Sequence, residues 1–587
     1  MTRAFLFLLM RSSRNRVLAI LRRLRRPKYL AFALVGLGYL YLVFFRQMMS
    51  RPRSSRALPL PADVAMLPLM ETIFSLALLG LVLLPWLWPG RGSDGLRFSE
   101  AEIQFLFPAP VSRRALLHYR LVKMQLGVLF GVVISFVFLG RGRIYAHPVY
   151  ALATLWLVYS FLALYYLGTT LVQTSLVQHG VSGIKRQAWV LAILAALAAM
   201  IGIWLKWFLP PLPQPGGLAL QEISAWLLRL TEAGPAYYFL LPFNALVRPA
   251  FAPDPASFYL RVVPATGIVA AAYLWVMHTD VVFEEASLEK ARRTASLLEA
   301  AGSGGLRTSR RLRSNAGRPL FRLKPTGFPG TAVFWKNLVA IRRTGALTIV
   351  PVIAVVGVGM AVVFAGRGGR GEVATAVIGS LAGVMAGFMT LIGPTMVRDD
   401  LRTDLAHMEL LKTYPLPGWS VVLGEVLAPT SFLALTQWIL LLISAWTIPS
   451  LGAWHFSGAH RLAIGISIAM VLPGITLMGV LIQNAAVLIL PGWVPVGRER
   501  RRGVEAMGQN LITMAATVLA LILAAVPAGL LFALVWIPGY LAGWALAALP
   551  PAALLAALGL IAEAALGILW LGRVYDRFDV SREGPGG

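Results

Sequence analysis

The chain has 587 residues, of which 58% are hydrophobic and 13% charged. Soluble globular domains are about 45–50% apolar and about 25% charged, so the composition excludes an ordinary soluble protein. The net charge of +28 is compatible with nucleic-acid binding, but basic residues also collect in the cytoplasmic loops of membrane proteins. Because the chain has no cysteine, disulfides, thiolate metal sites and cysteine nucleophiles are excluded.

Apolar runs long enough to cross a bilayer recur along the whole chain. A spanning helix needs about 20 apolar residues, since hydrocarbon offers no partner for unpaired backbone groups. Residues 1–28, which precede the first run, alternate apolar and basic residues and predict a helix lying in the membrane interface. About twelve spans are predicted, over 29–45, 67–87, 124–139, 147–171, 188–205, 262–277, 347–364, 373–392, 427–448, 462–490, 511–536 and 546–571.

The distribution of basic residues predicts the orientation. If the N-terminus is cytoplasmic, 40 of the 53 Lys and Arg residues lie in inner segments and 13 in outer ones. This asymmetry follows the positive-inside rule and places both termini in the cytoplasm. It also explains most of the positive charge, so we expect the lipid bilayer and no nucleic acid as a partner.

The spans divide into two halves of six, over 29–277 and 347–571, separated by a polar basic linker at 278–346. Since each half begins on the inner side, the fold class predicted is an all-α polytopic protein of two parallel six-helix repeats. An outer loop at 206–261 has no counterpart in the second half. Its apolar runs, Ala225–Leu228 and Tyr237–Phe243, predict short helices at the outer face, and residues 572–587 form a cytoplasmic tail.

Two similar segments occupy equivalent places in the halves. The first corner segment is Glu100–Arg114 and the second corner segment is His407–Glu425. Each predicts a short amphipathic helix, a Pro-x-Pro break and a second helix that runs into the next span. Their apolar side chains need cover from a partner protein or from the membrane interface. A shift of 307 residues places Glu102 on Glu409, Phe107 on Tyr414, Pro108 on Pro415 and Pro110 on Pro417.

Motifs for catalysis are scarce. The nearest approach to a phosphate-binding loop, at 492–499, lacks the lysine and hydroxyl that such a loop needs. The histidines do not have zinc-binding spacing. Asp399, Asp400 and Asp404 are candidate metal ligands, but in a basic-flanked helical loop they more simply predict a solvated helix face. We therefore expect no metal and no catalytic residue in this chain.

Few ionisable residues lie in the predicted spans. A carboxylate at mid-bilayer costs roughly 3 kcal/mol and therefore usually faces a bundle interior or water. Glu563, in the last span, is the best functional candidate, with helix packing as the alternative. Glu71 is expected at the outer interface without a special function. Gln437 and Asn484 are polar companions within the spans.

Residues 408–427, with their Leu-Leu, Thr-Tyr-Pro corner and Leu-Gly-Glu, resemble the segment between the second and third spans of type-2 ATP-binding-cassette (ABC) exporter permeases. Residues 100–123 are similar to exporter membrane proteins that carry a fused double permease. Phe5–Arg26 and Phe334–Arg343 fit the elbow helix of that family. One departure is that the acidic-Arg-Glu run of the family is present only as Asp399-Asp400-Leu-Arg402.

The resemblance implies that residues 99–123 and 397–426 are coupling segments that dock on two copies of a separate ATPase. ATP and magnesium would be held by those subunits and no cofactor by this chain. The residues implied in coupling are Glu100, Glu102, Phe105, Phe107, Pro108, Pro110, Arg113, Arg114, Asp404, Glu409, Leu411, Tyr414, Pro415 and Pro417.

The function predicted is the transmembrane permease subunit of an ABC exporter in the bacterial cytoplasmic membrane, without an ATPase motif of its own. Two alternatives stay open. A polytopic enzyme such as a lipid-linked glycosyltransferase would need acidic residues in an early outer loop, where only Asp63 lies. An ion-coupled secondary transporter would need several buried ionisable groups, of which Glu563 is one.

Overall fold

A computed structural model of the chain describes residues 24–42, 66–87, 113–139, 147–178, 234–278, 326–343, 369–405, 408–447, 457–491 and 504–579, with scattered single residues. Every regular element within these ranges is helical. In chain order the helices are α1 (Pro27–Leu40), α2 (Met66–Leu87), α3 (Arg113–Leu139), α4 (Pro148–Gln178), α5 (Gly234–Val247), α6 (Pro255–His278), α7 (Pro329–Arg343), α8 (Gly369–Met396), α9 (Leu401–Asp404), α10 (Met408–Lys412), α11 (Gly418–Thr447), α12 (Gly458–Ile489), α13 (Val504–Leu541) and α14 (Ala545–Arg577).

Seven helices in the described part of the chain are long and apolar enough to cross a membrane. They are α4, α6, α8, α11, α12, α13 and α14, and each coincides with a predicted span. Shorter apolar stretches lie in α2 and α3. The predicted spans at 188–205 and 347–364 lie outside the continuously described residues. The all-helical class is therefore confirmed, whereas twelve spans in two repeats stay a prediction.

The chain forms two compact units. The first comprises Met1–Asn15, Phe44–Pro213 and Leu218–Ala316, and the second comprises Arg16–Val43, Gln214–Gly217 and Gly317–Gly587. The helix α1 thus belongs to the second unit, where Tyr29 and Ala33 are buried with Leu490 and contact Ile512. The first predicted span, placed by sequence order in the first half, packs against helices of the second.

In the first unit, α4 packs against α3 and α6. Polar side chains join these helices inside the bundle. Ser160 Oγ donates to Gln125 Oε1 (3.1 Å), and Gln173 Nε2 donates to the carbonyl of Pro85 (3.0 Å). The apolar run Tyr237–Phe243 lies within α5, which confirms a short helix there. The hydrogen bonds of Ser160 and Gln173 are of the kind expected where a polar side chain must find its partner inside an apolar helix bundle.

The second unit is built around α11, α12 and α14. Their apolar faces share one buried core with α13, and small residues allow close helix contact. A methyl group at Gly474 would lie 3.0 Å from Leu560 Cβ, for example. Gly543, with φ +79°, makes the tight turn that joins α13 to α14, because only glycine adopts that conformation without strain. The opposite face of α13 exposes leucines, as a lipid-facing helix does.

Candidate functional site

The second corner segment forms a bent connection ahead of α11. Its first part is α10, which ends with a backbone hydrogen bond from Tyr414 to the carbonyl of Leu411 (3.3 Å). Pro415 and Pro417 then interrupt the helix, because proline has no N–H to donate and its ring blocks the preceding turn. The next helix begins at Gly418. The predicted order of short helix, Pro-x-Pro break and long helix is confirmed for this segment.

Several apolar side chains at this corner are exposed. Leu410 is 63% exposed, Tyr414 57% and Trp419 40%. The ring of Trp419 packs on that of Phe328, which lies just before α7, with the ring centroids 5.5 Å apart. We call these four side chains the corner face. Met408, on the other side of α10, is fully buried, so the face is backed by the core of the second unit.

Lys412 fastens the corner to the end of α14. Its Nζ donates to the backbone carbonyl of Phe578 and, at 3.4 Å, to that of Asp576. The same ammonium lies 5.7 Å from the centre of the Tyr575 ring. The last carbonyls of a helix have no partner within the helix and carry partial negative charge. Lys412 satisfies both needs with one cation.

A buried ion pair lies directly before α10. Arg402 Nη2 contacts Asp400 Oδ2 at 2.6 Å, and Arg402 Nε donates to Asp400 Oδ1 at 2.9 Å. Asp400 is fully buried and Arg402 is 1% exposed. The prediction of a solvated helix face is therefore wrong for Asp400 and for the neighbouring Asp399, which is also buried. Sequence spacing could not show that α12 packs over this loop and excludes water.

Asn484 of α12 supports the same loop. Its Nδ2 donates to Asp400 Oδ2 (3.3 Å), and its Oδ1 accepts a hydrogen bond from the backbone N–H of Leu401 (3.1 Å). The side chain is fully buried. An amide can donate and accept at once, which suits a position between a carboxylate and a backbone N–H. This predicted intramembrane polar candidate thus lies against the loop that leads into the corner.

Lys336 of α7 joins the corner region to α11. It forms ion pairs with Asp404 and, at 2.9 Å, with Glu425 Oε1. Asn337 Nδ2 donates to Glu425 Oε2 at 2.7 Å. Glu425 is fully buried, and a buried carboxylate is tolerated only where charge and hydrogen bonds compensate it. The elbow-like helix α7 is consequently bound to α11 by polar contacts as well as by packing.

Gln437 connects three helices deeper in the second unit. Its Nε2 donates to Thr390 Oγ1 of α8 (3.3 Å), and Thr476 Oγ1 of α12 donates to its Oε1 (3.0 Å). Gln437 and Thr476 are fully buried. This amide thus both donates and accepts a hydrogen bond inside the bundle, which gives it a helix-packing role.

The two acidic candidates differ in their surroundings. Glu71 forms ion pairs with Arg248 Nε (3.4 Å) and Arg261 Nη1 (3.5 Å), and these join α2 to α6 and to the turn before it. Glu563 is half-buried, and within the described part of the chain it forms no ion pair. Glu563 lies in the middle of α14, nine residues before Gly572, which contacts the corner.

The remaining predicted coupling residues are placed as follows. In the second corner segment Glu409, Pro415 and Pro417 are exposed and Leu411 is half-buried. In the first corner segment Arg113 and Arg114 begin α3, which runs on to Leu139 as predicted, although their side chains are not described. The rest of that set lies outside the described residues: Glu100, Glu102, Phe105, Phe107, Pro108 and Pro110.

Nearly the whole chain matches a known protein family. Its sequence model, described as "Putative ABC exporter", matches residues 2–566. The chain belongs to this ABC exporter family. A search of curated proteins finds no match. Family membership and the seven long apolar helices of the described residues support an integral membrane protein with a transport-related function, and the family implies an ATPase partner.

Sequence reasoning assigned no role to four residues that hold this exporter's corner region: Lys336, Asn337, Arg402 and Lys412. One signal was present in the sequence. Val333, Asn337 and Ile341 share one helix face at the i, i+4, i+8 spacing and are all buried. A polar residue within an apolar stripe needs a buried partner, but that partner, Glu425, is 88 residues away along the chain. Only the tertiary structure could identify it.

Proposed function

We propose that this chain is the transmembrane permease subunit of an ABC exporter, and that its corner segments dock on separate ATPase subunits. The ATPases would bind ATP and magnesium, and this chain would hold no cofactor of its own. ATP binding and hydrolysis would move the corners and so change access to a path through the membrane. Family membership supports the class of function, and the corner face supports the docking role.

The corner face carries this proposal. Its four exposed side chains are Leu410, Tyr414, Trp419 and Phe328. The buried core of the second unit and the ion pairs of the corner region lie behind them. Aromatic side chains that are exposed on a rigid backing are typical of protein interfaces. Asp404, in contrast, is already paired with Lys336 of the same chain. We therefore assign docking to the apolar side chains and to the exposed Glu409.

Two observations support the proposed side of the membrane. The corner lies beside the C-terminal end of α14, because Lys412 contacts the carbonyls of Asp576 and Phe578. The positive-inside distribution of basic residues supports a cytoplasmic location for this end. We propose that both termini are cytoplasmic and that the membrane is the bacterial cytoplasmic membrane. One polypeptide with two corner segments would then bind two copies of the ATPase.

Co-purification tests the proposal. The tagged chain is expressed in its native host, and the ATPase bound to it is identified and quantified. Changing both Phe107 and Tyr414 to Asp should reduce the bound ATPase at least tenfold, since a charge replaces an apolar contact at each corner. The matched control is Phe107→Tyr with Tyr414→Phe, which keeps both rings and should retain binding. Undiminished binding in the aspartate variant would contradict docking through the corners.

A further inference from the structure

We propose that α10 and the C-terminal end of α14 move as one body, and that Lys412 is the positioning residue that ties them. This rests on the proposed function, because the movement would begin when an ATPase docks on the corner face. The last helix would then carry the movement into the membrane together with α11.

The first observation is where Lys412 lies relative to the proline break. Lys412 precedes Pro415 and Pro417, whereas α11 follows them. Movement of α10 reaches α11 through a stretch without continuous helical hydrogen bonds, and such a stretch can act as a hinge. The bonds from Lys412 to the carbonyls of Asp576 and Phe578 bypass that stretch. They join α10 directly to another long helix.

The second observation is a backbone contact beside the same place. A methyl group at Gly572 would lie 2.5 Å from the backbone N of Trp419 and 2.6 Å from its Cα. Separations this short leave no room for any side chain. The start of α11 and the last turns of α14 are therefore packed backbone against backbone. Leu571 and Tyr575, on either side of this contact, are buried in the same core as Met408.

The third observation is what lies further along α14. Glu563 precedes Gly572 by nine residues, which is about 13.5 Å along a helix. Leu560 of α14 packs against Gly474 of α12, and Leu531 of α13 approaches Gly559. A displacement at the corner end of α14 would therefore reach the half-buried Glu563 and both neighbouring helices. The helix α14 is placed to connect the docking surface with the middle of the membrane.

Distance measurements between spin labels test the tie. The chain has no cysteine, so Thr413→Cys and Arg573→Cys, both at exposed positions, can be labelled without background. With Lys412 present we expect a narrow distance distribution. Lys412→Met should broaden it at least twofold, and Lys412→Arg should keep it narrow because the cation remains. Lys412→Gln, which keeps a donor without the charge, should give an intermediate width. A Lys412→Met distribution as narrow as the parent's would overturn the proposal.

A second arm separates this proposal from the proposed function. A third position, Lys28→Cys on α1, an exposed residue of a helix that packs on α13, is labelled together with Arg573→Cys in the complex with the co-purified ATPase. On addition of a non-hydrolysable ATP analogue, the 28–573 distance should change while the 413–573 distance stays constant. If the ATPase binds but the 413–573 distance changes, the shared movement is refuted and the docking role stands. If no ATPase binds the parent chain, the proposed docking function is refuted. The 413–573 distance distributions measured without an ATPase still test whether Lys412 joins α10 to α14.

Discussion

Lys336 and Glu425, 89 residues apart in the chain, form an ion pair of 2.9 Å in which the carboxylate is fully buried. Lys336 also pairs with Asp404, so one cation serves two carboxylates from two different segments. Removing Lys336 would strand the buried carboxylate, which costs about 1–3 kcal/mol, because the lysine is 39% exposed and its attraction is screened by solvent. The ion pairs of Lys336 with Asp404 and Glu425 should therefore contribute measurably to the free energy of unfolding of the corner region.

The first prediction concerns that charge. Lys336→Met should lower the thermal stability of the purified chain by about 1–3 kcal/mol, because it leaves the buried carboxylate of Glu425 without its cation. Adding Glu425→Gln should restore part of the loss, because the stranded carboxylate becomes a neutral amide. The measurement is thermal unfolding in detergent for the parent, both single variants and the double variant. Strictly additive effects would show that the two residues do not depend on one another.

The second prediction concerns Asn484. Asn484→Leu removes one donor to Asp400, which keeps its bonds from Arg402, and leaves the buried N–H of Leu401 unsatisfied at a cost of about 1–3 kcal/mol. Hydrogen exchange should become faster in residues 400–405. Gln483→Leu is the matched control, since Gln483 is also buried in α12 but bonds to Thr517 instead. It should leave exchange in the loop unchanged. Equal effects of the two variants would argue against a specific role for Asn484.

The third prediction concerns the contact between α7 and α11. A methyl group at Gly424 would lie 2.6 Å from the carbonyl oxygen of Gly330 and 2.7 Å from Val333 Cβ. Gly424→Ala should therefore separate the two helices and destabilise the chain by about 1–3 kcal/mol, the usual cost of overpacking. Gly387→Ala is the control, because nothing lies within 4 Å of a methyl group there. It should be neutral or slightly stabilising, as expected for Gly to Ala in a helix. The measurement is the unfolding temperature of both variants. An unchanged unfolding temperature for Gly424→Ala would contradict the close approach of α7 and α11.

The fourth prediction concerns pH. Hydrogen bonds from the backbone N–H and side chain of Ser257 lower the pKa of Asp254, the residue before α6. A carboxyl whose pKa is depressed on folding contributes stability above its ordinary pKa, and the contribution is lost as the pH falls through the lowered value. Asp254→Ala should therefore raise hydrogen exchange in the first turn of α6 at neutral pH. The difference from the parent should vanish in strong acid.

The substitution Asp254→Asn provides the control for that experiment. Asparagine can still accept a hydrogen bond at a helix N-terminus but does not titrate, so exchange in the first turn of α6 should stay slow at every pH. A pH-independent difference between the parent and Asp254→Ala would mean that the carboxylate charge plays no part.

Much of the fold followed from the sequence. Hydrocarbon enforces long apolar helices, so hydropathy alone located α4, α6, α8 and α11 to α14. Proline at 415 and 417 enforces a break, so the shape of the second corner segment was also predicted correctly. These features are local, because each depends on residues that are neighbours in the chain.

The buried charges were not predictable in the same way. Asp399 and Asp400 have the local pattern of a solvated loop, and they are buried because a helix some 80 residues later packs over them. The membership of α1 in the second unit is a similar case, since apolarity identifies a span but not its neighbours. Such contacts depend on complementary shape and on partners that are distant in the chain, so a short stretch of sequence cannot predict them.

The sequence by itself determined that this chain is a helical membrane protein, where seven of its long helices run, and that a proline break forms a corner before α11. The tertiary structure alone decided what holds that corner. Lys336, Lys412 and Asn484 each contact at least one buried residue 83 or more positions away in the chain, namely Glu425, Phe578 and Leu401. Hydrophobicity depends on each residue's own preference for water or lipid, so it can be evaluated from the sequence. Ion pairs and hydrogen bonds form only between particular atoms that folding brings together.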